Sequence, residues 1–166
     1  MTEHMHENML PKGKDKYVRG TDKPTRPSRH TDYVSLLGFK TRKQSEFITQ
    51  VLSGFPFQAM GMLGKKTGLT SAQIRAAIGM SERTLARRRK AAGKKFTIEE
   101  SDRLVRISRV FALALDLFEG NAEAAKRWML NPNRAFNEAP MTMIRTEVGS
   151  REVENLIGQL EHGVFS

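Results

Sequence analysis

From Tyr33 onward apolar positions recur at spacings of three and four, and no segment alternates with period two, so the pattern predicts an all-α chain. Phe47, Ile48, Val51 and Leu52 share one face of a helix that Gly54 stops. A second helix opens near Pro56, whose fixed φ suits a first turn, carries Phe57, Met60 and Leu63, and ends at Gly64 or Gly68. Ser71 to Ile78 forms a third helix, Gly79 breaks it, and Ser81 to about Ala92 forms a fourth. A long helix from Glu99 to Glu119 sets Leu104, Ile107, Phe111, Ala114 or Leu115, and Phe118 along one stripe before Gly120 closes it. Asn121 caps a helix carrying Ala125, Trp128 and Met129, and short elements start at Pro132 and Pro140. A last helix from Ser150 to His162 buries Val153, Leu156, Ile157 and Leu160 and stops at Gly163.

Residues 1–31 break this pattern. They are almost without aliphatic side chains and contain Pro11, Pro24 and Pro27, too little apolar surface to offset the entropy of ordering, which predicts a disordered basic N-terminal tail. His4, Met5 and His6 lie in that tail, where no fixed geometry holds ligands around a metal, so no metal site is expected. The organisation expected is a tail over 1–31, a helix-turn-helix region over 32–98, and a small helical domain over 99–166 that includes the long linking helix.

The segment SAQIRAAIGMSERTLARRRKAA, Ser71 to Ala92, carries the pattern of a helix-turn-helix. Gly79 supplies the sharp turn, and Ile74, Ile78, Met80 and Leu85 fall where the motif buries apolar side chains. Arg75 and Arg88 depart from it, standing where a small and an apolar residue are usual. At 100° per residue Arg83, Arg87 and Lys90 lie nearly opposite Leu85 and face outward together. Glu82, Arg83 and Thr84 sit at the helix start, placed to reach base edges in a major groove.

Charge sharpens this picture. The 166 residues carry a net +10, but residues 41–100 alone hold 12 Lys and Arg against 4 Asp and Glu, whereas residues 101–166 hold 8 against 9. Six of the nine residues from Arg87 to Lys95 are basic, a density that captures phosphates by releasing counterions. A merely solvated basic helix is the plainer alternative, but it does not require a turn motif directly before it. The candidate DNA-binding residues are Arg83, Thr84, Arg87, Arg88, Lys90 and Lys94.

Composition excludes other classes. With no Cys there is no disulfide scaffold, thiol nucleophile or Cys-ligated zinc, and a reducing cytoplasm is the expected location. No run approaches the ~18 apolar residues of a membrane span, and no signal peptide is expected. Three of the four His lie in the tail, and no nucleophile and base pair or Gly-rich phosphate loop can be named, so neither catalysis nor a cofactor is expected. Glu99, Glu100 and Asp102 are read as favourable charges at a helix N-terminus.

The run from Ser81 to the end carries a linked set of motifs. RTLARRR and EESDRL are followed by W-x-x-x-P-N at Trp128, Pro132 and Asn133, T-x-x-G at Thr146 and Gly149, and G-V-F at Gly163, Val164 and Phe165. Over residues 45–166 this succession resembles the Xre/MbcA/ParS antitoxins, an Xre-type DNA-binding region fused to a toxin-binding domain. Phe136, Asn137 and Glu138 stand where that family more often has Leu followed by Gly residues, and Met141 where Leu is usual. The resemblance implies a type II antitoxin that covers the active site of a RES-domain toxin, which consumes or transfers ADP-ribose from NAD. It further implies a homodimer, a larger toxin–antitoxin complex, and repression of its own operon at operator DNA. The toxin-binding residues it implies are Trp128, Asn131, Asn133, Glu161, His162, Gly163, Val164 and Phe165. By themselves the residues leave Trp128 open to a core role and Asn131 and Asn133 to capping beside Pro132. A stand-alone repressor with a ligand- or protein-binding C-terminal domain is the alternative.

Overall fold

The computed structural model describes residues 29–163, in which nine helices follow one another and no strand forms. They are α1 (Arg29–Leu36), α2 (Gln44–Leu52), α3 (Gln58–Thr67), α4 (Ser71–Ile78), α5 (Glu82–Lys90), α6 (Ile98–Leu117), α7 (Ala122–Leu130), α8 (Pro140–Met143) and α9 (Glu147–His162). The all-α expectation holds. Short polar side chains start most of the longer elements: Thr70, Ser81, Thr97, Asn121 and Thr146 each accept a hydrogen bond from a first-turn backbone N–H. At α4 and α6 a Gln73 or Glu100 side chain also reaches back to the cap residue's N–H, completing a capping box.

Helix α6 is the axis of the fold. The sequence pattern predicts one apolar stripe, and Leu104, Ile107, Phe111 and Ala114 are indeed buried. Val105, Ser108, Val110, Ala112 and Leu113 are buried too, because α1, α2, α3 and α4 pack on α6 from one half of the chain and α7 and α9 from the other. A single apolar core therefore runs from Tyr33 to Ile157. One buried serine bridges it: Ser101 Oγ accepts from Phe55 N at 2.8 Å and donates to Thr97 O at 2.7 Å, while buried Ser108 Oγ turns back on its own helix and donates to Val105 O. Beside Ser101, the backbone of Phe96 donates to Phe55 O at 2.8 Å, and a Cβ on Gly54 (φ +77°) would stand 2.2 Å from Phe96 O. Only glycine fits there.

Several boundaries differ from expectation. Helix α1 opens at Arg29, inside the stretch read as tail; the rest of that tail, His4 and His6 included, lies outside the described residues. Of the four apolar residues on α2 only Phe47 is buried, with Val51 half-buried and Ile48 and Leu52 exposed, because α2 lies against α6 on one narrow side. The segment at Pro132 is a turn closed by the Asn133–Glu138 backbone bridge, not a helix. Helix α9 starts at Glu147, three residues before the expected Ser150, because Thr146 caps it and Gly149 sits inside its first turn. Val153 and Ile157 are buried, Leu156 and Leu160 half-buried.

Candidate functional site

The helix-turn-helix forms as its apolar positions require. Ile74, Ile78, Met80 and Leu85 are at most 5% exposed. Gly79 takes φ +73°, and Met80 N donates to Arg75 O at 2.9 Å to close the turn. From below, Arg103 of α6 donates through Nη1 to Ile78 O at 2.7 Å, satisfying a carbonyl that the end of α4 leaves open. Arg75 does not obstruct the contact between the helices: its largely buried guanidinium reaches toward Glu82 at 3.7 Å.

Helix α5 divides its basic residues between two tasks. Arg83, Arg87 and Lys90 are exposed on the side away from buried Leu85. Thr84 is half-buried; its backbone N–H donates to the Ser81 cap at 3.1 Å and its hydroxyl lies 2.9 Å from the same Oγ, so it braces the start of the helix. Arg88 is turned inward. Its Nη1 donates to Glu100 Oε2 at 2.6 Å, and the same oxygen accepts from Thr97 N at 2.9 Å. The Arg that departed from the motif's apolar pattern thus ties the last turn of α5 to the first turn of α6. Arg88→Met is expected to lower stability by about 1–2 kcal/mol, since it strands a mostly buried carboxylate while its own site is partly solvated. Thermal melting checks this, and an unchanged melting temperature would return Arg88 to the DNA-facing set.

The neighbouring carboxylates serve α6. Glu99 lies below the usual carboxylate range because its own backbone N–H and the Thr97 hydroxyl hydrogen-bond it. Asp102 pairs with Arg106 at 3.2 Å.

In the C-terminal half, Trp128 is half-buried, tilted against Phe118 with ring centroids 6.4 Å apart. Asn131 is the C-cap of α7, its Nδ2 donating to Arg127 O at 2.7 Å, and Asn133 Oδ1 accepts from Ala135 N at 2.9 Å. Both asparagines therefore build the turn after α7. Asn137 there has φ +55°, a left-handed conformation that Asn tolerates and Gly adopts without strain. Phe136 packs on the core edge.

Glu161 and His162 belong to the last turn of α9, which Gly163 ends at φ +64°. Val164 and Phe165 lie outside the described residues. The T-x-x-G motif has a packing reason: Thr146 Oγ1 accepts from Gly149 N at 3.1 Å, and the missing Cβ of Gly149 admits the Met143 carbonyl.

Three arginines not anticipated as structural hold the two halves together. Besides Arg103, Arg106 donates to Arg145 O at 3.3 Å, and Arg109 pairs with Glu154 of α9 at 2.8 Å and reaches buried Ser150 Oγ at 3.4 Å. Their helical spacing on α6 was visible in the sequence, but the partners of Arg106 and Arg109 lie about forty residues downstream and that of Arg103 lies 25 residues upstream, beyond any local pattern.

A helix-turn-helix with an outward cationic face, sharing its central helix with a second helical unit, defines a two-part protein of the helix-turn-helix class. Residues 46–109 match the Antitoxin Xre-like helix-turn-helix domain, and residues 113–163 match the Antitoxin Xre/MbcA/ParS C-terminal toxin-binding domain, so the two regions meet within α6. The chain is 36% identical to an Antitoxin Xre of Yersinia enterocolitica over 131 residues, 78% of this chain and 88% of that protein. It is also 33% identical over 119 residues to one of Pseudomonas putida, covering 71% of this chain and 72% of that protein. Over a shorter stretch of 89 residues it is 43% identical to one of Photorhabdus laumondii, covering 53% and 60%. The chain belongs to the Xre/MbcA/ParS family of type II antitoxins. No helix among the described residues is long and apolar enough to cross a membrane.

Proposed function

We propose that this antitoxin neutralises a RES-domain toxin by covering its active site with the C-terminal region, and binds operator DNA through α5 to repress its own operon as a homodimer. The observation that carries the reading is the division of surfaces around α6. Arg83, Arg87 and Lys90 stand exposed on α5, while the near-neutral second half matches a toxin-binding domain. Arg83 and Arg87 read base edges, and Lys90 contacts the backbone. Trp128, Asn131 and Asn133 shape the wall after α7, and Glu161, His162 and Gly163 direct Val164 and Phe165 into the toxin.

Removing residues 164–166 tests the neutralising half, because α9 keeps its Gly163 cap without them. The truncated protein is expected to melt at the same temperature and to lose most of its protection of cells expressing the toxin. Full protection would place the inhibitory contact elsewhere. An adjacent reading frame for a RES-type protein separates this reading from a stand-alone repressor.

A further inference from the structure

Resting on the DNA reading above, we propose that the groove between α3, the start of α4 and the end of α5 seats the sugar–phosphate backbone of the bound duplex. The groove has a volume of about 590 Å³, with Lys65, Arg89 and Lys94 at its edges, Ser71 beside them and Phe57 and Met60 on its apolar side. The three cations come from separate places: the last turn of α3, the last turn of α5 and the loop after it. None of the groove-lining residues is a carboxylate, and among the described residues none of the three cations forms an ion pair. Their neighbours differ: Arg88 is neutralised by Glu100, and Lys66 donates to Ser35 O. Three like charges converging on one concavity without a counter-charge repel one another until a polyanion enters.

The size of α5 identifies which part of the polyanion. Its nine residues span roughly 13 Å at 1.5 Å per residue, more than the ~8.5 Å depth of the major groove, so with the first turn at the base edges the last turn lies at the level of the strand backbone. With Arg83 and Arg87 toward the bases, Arg89 and Lys94 at the far end meet the strand that walls the groove. Deoxyribose presents an apolar face to Phe57 and Met60, and the phosphates face Lys65, Arg89 and Lys94. Lys65 lies twenty-two residues before the basic run opens at Arg87, so no sequence window joins it to the site. Backbone contacts fix register and carry no sequence information, which distinguishes this groove from the outward face of α5.

The test compares the full chain with Lys65→Ala/Lys94→Ala, Lys65→Arg/Lys94→Arg and Arg134→Ala, an exposed cation in the turn after α7. Two duplexes serve as probes, one with the sequence upstream of its own coding region and one of random sequence, each titrated over a salt series. The double alanine variant should weaken both duplexes by the same factor and reduce the slope of log affinity against log salt by about two, roughly one for each phosphate left without its cation. The double arginine variant should keep the slope, and Arg134→Ala should leave it unchanged. If wild type binds both duplexes and the alanine variant retains the full slope, the groove assignment fails alone. It also fails if Arg134→Ala lowers the slope as much, since net charge would then explain the effect. Absence of any duplex binding by wild type would overturn the groove and the DNA reading together.

Discussion

Arg87→Glu is expected to weaken duplex binding about a hundredfold at moderate salt while leaving the fold and toxin binding intact. The side chain is exposed on α5, two residues past buried Leu85 and away from it, so the substitution breaks no packing. A base-edge or phosphate contact by Arg contributes roughly 1–3 kcal/mol, and a carboxylate in its place adds repulsion from the phosphates beside it. Arg88, next in sequence, gives the contrasting case, because its guanidinium is committed to Glu100 at 2.6 Å. Arg87→Glu should therefore lose DNA with an unchanged melting temperature, and Arg88→Met should lose stability first. Gel shift and thermal melting of the two variants side by side check this. An unchanged operator shift in Arg87→Glu would remove α5 as the recognition helix.

Gly149→Ala is expected to destabilise the protein by about 3 kcal/mol or more, a fall in melting temperature of roughly 10 °C. The usual direction is the opposite, since Gly within a helix costs about 1 kcal/mol relative to Ala. Here the added Cβ would stand 2.1 Å from Met143 O and 2.8 Å from its carbonyl carbon. That carbonyl accepts from Thr146 N at 3.3 Å, and Gly149 N donates to the Thr146 cap, so a shift large enough to admit a methyl undoes the start of α9. Gly158, later in the same helix, has nothing within 4 Å of a Cβ, and Gly158→Ala should raise stability by about 0.5–1 kcal/mol. Opposite signs at two glycines of one helix, read by thermal melting, are the expected result. Equal shifts would mean that the Met143 contact does not constrain α9.

The helix-turn-helix was legible because its evidence is local: Ile74, Ile78, Met80 and Leu85 at fixed offsets around Gly79 leave one solution for the turn. The Asn121 cap was legible for the same reason, acting on an N–H three residues away, whereas the Thr146 cap, which moves the start of α9 back from Ser150, was not. What escaped depends on partners distant in sequence. Periodicity gave α6 one stripe, whereas its other sides are buried by elements the pattern cannot place. Arg88 counted among the DNA-facing cations until Glu100, twelve residues on, proved to be its partner. Lys65 carried no signal, since only folding sets it across a groove from Lys94. Gly149 entered only through the T-x-x-G motif, ahead of the helix expected from Ser150, and the approach of the Met143 backbone is what it serves. The outward Ile48 and Leu52 show the same limit, because an apolar face in sequence does not say what covers it.

The proposed neutralisation is tested most directly by titrating purified antitoxin against a RES-domain protein from an adjacent reading frame and following its consumption of NAD. Inhibition should saturate near a fixed stoichiometric ratio, and Arg87→Glu should inhibit as fully as wild type, because the proposal places neutralisation in the region that matches the toxin-binding domain and not on α5. Toxin activity that persists under an excess of folded antitoxin would contradict this.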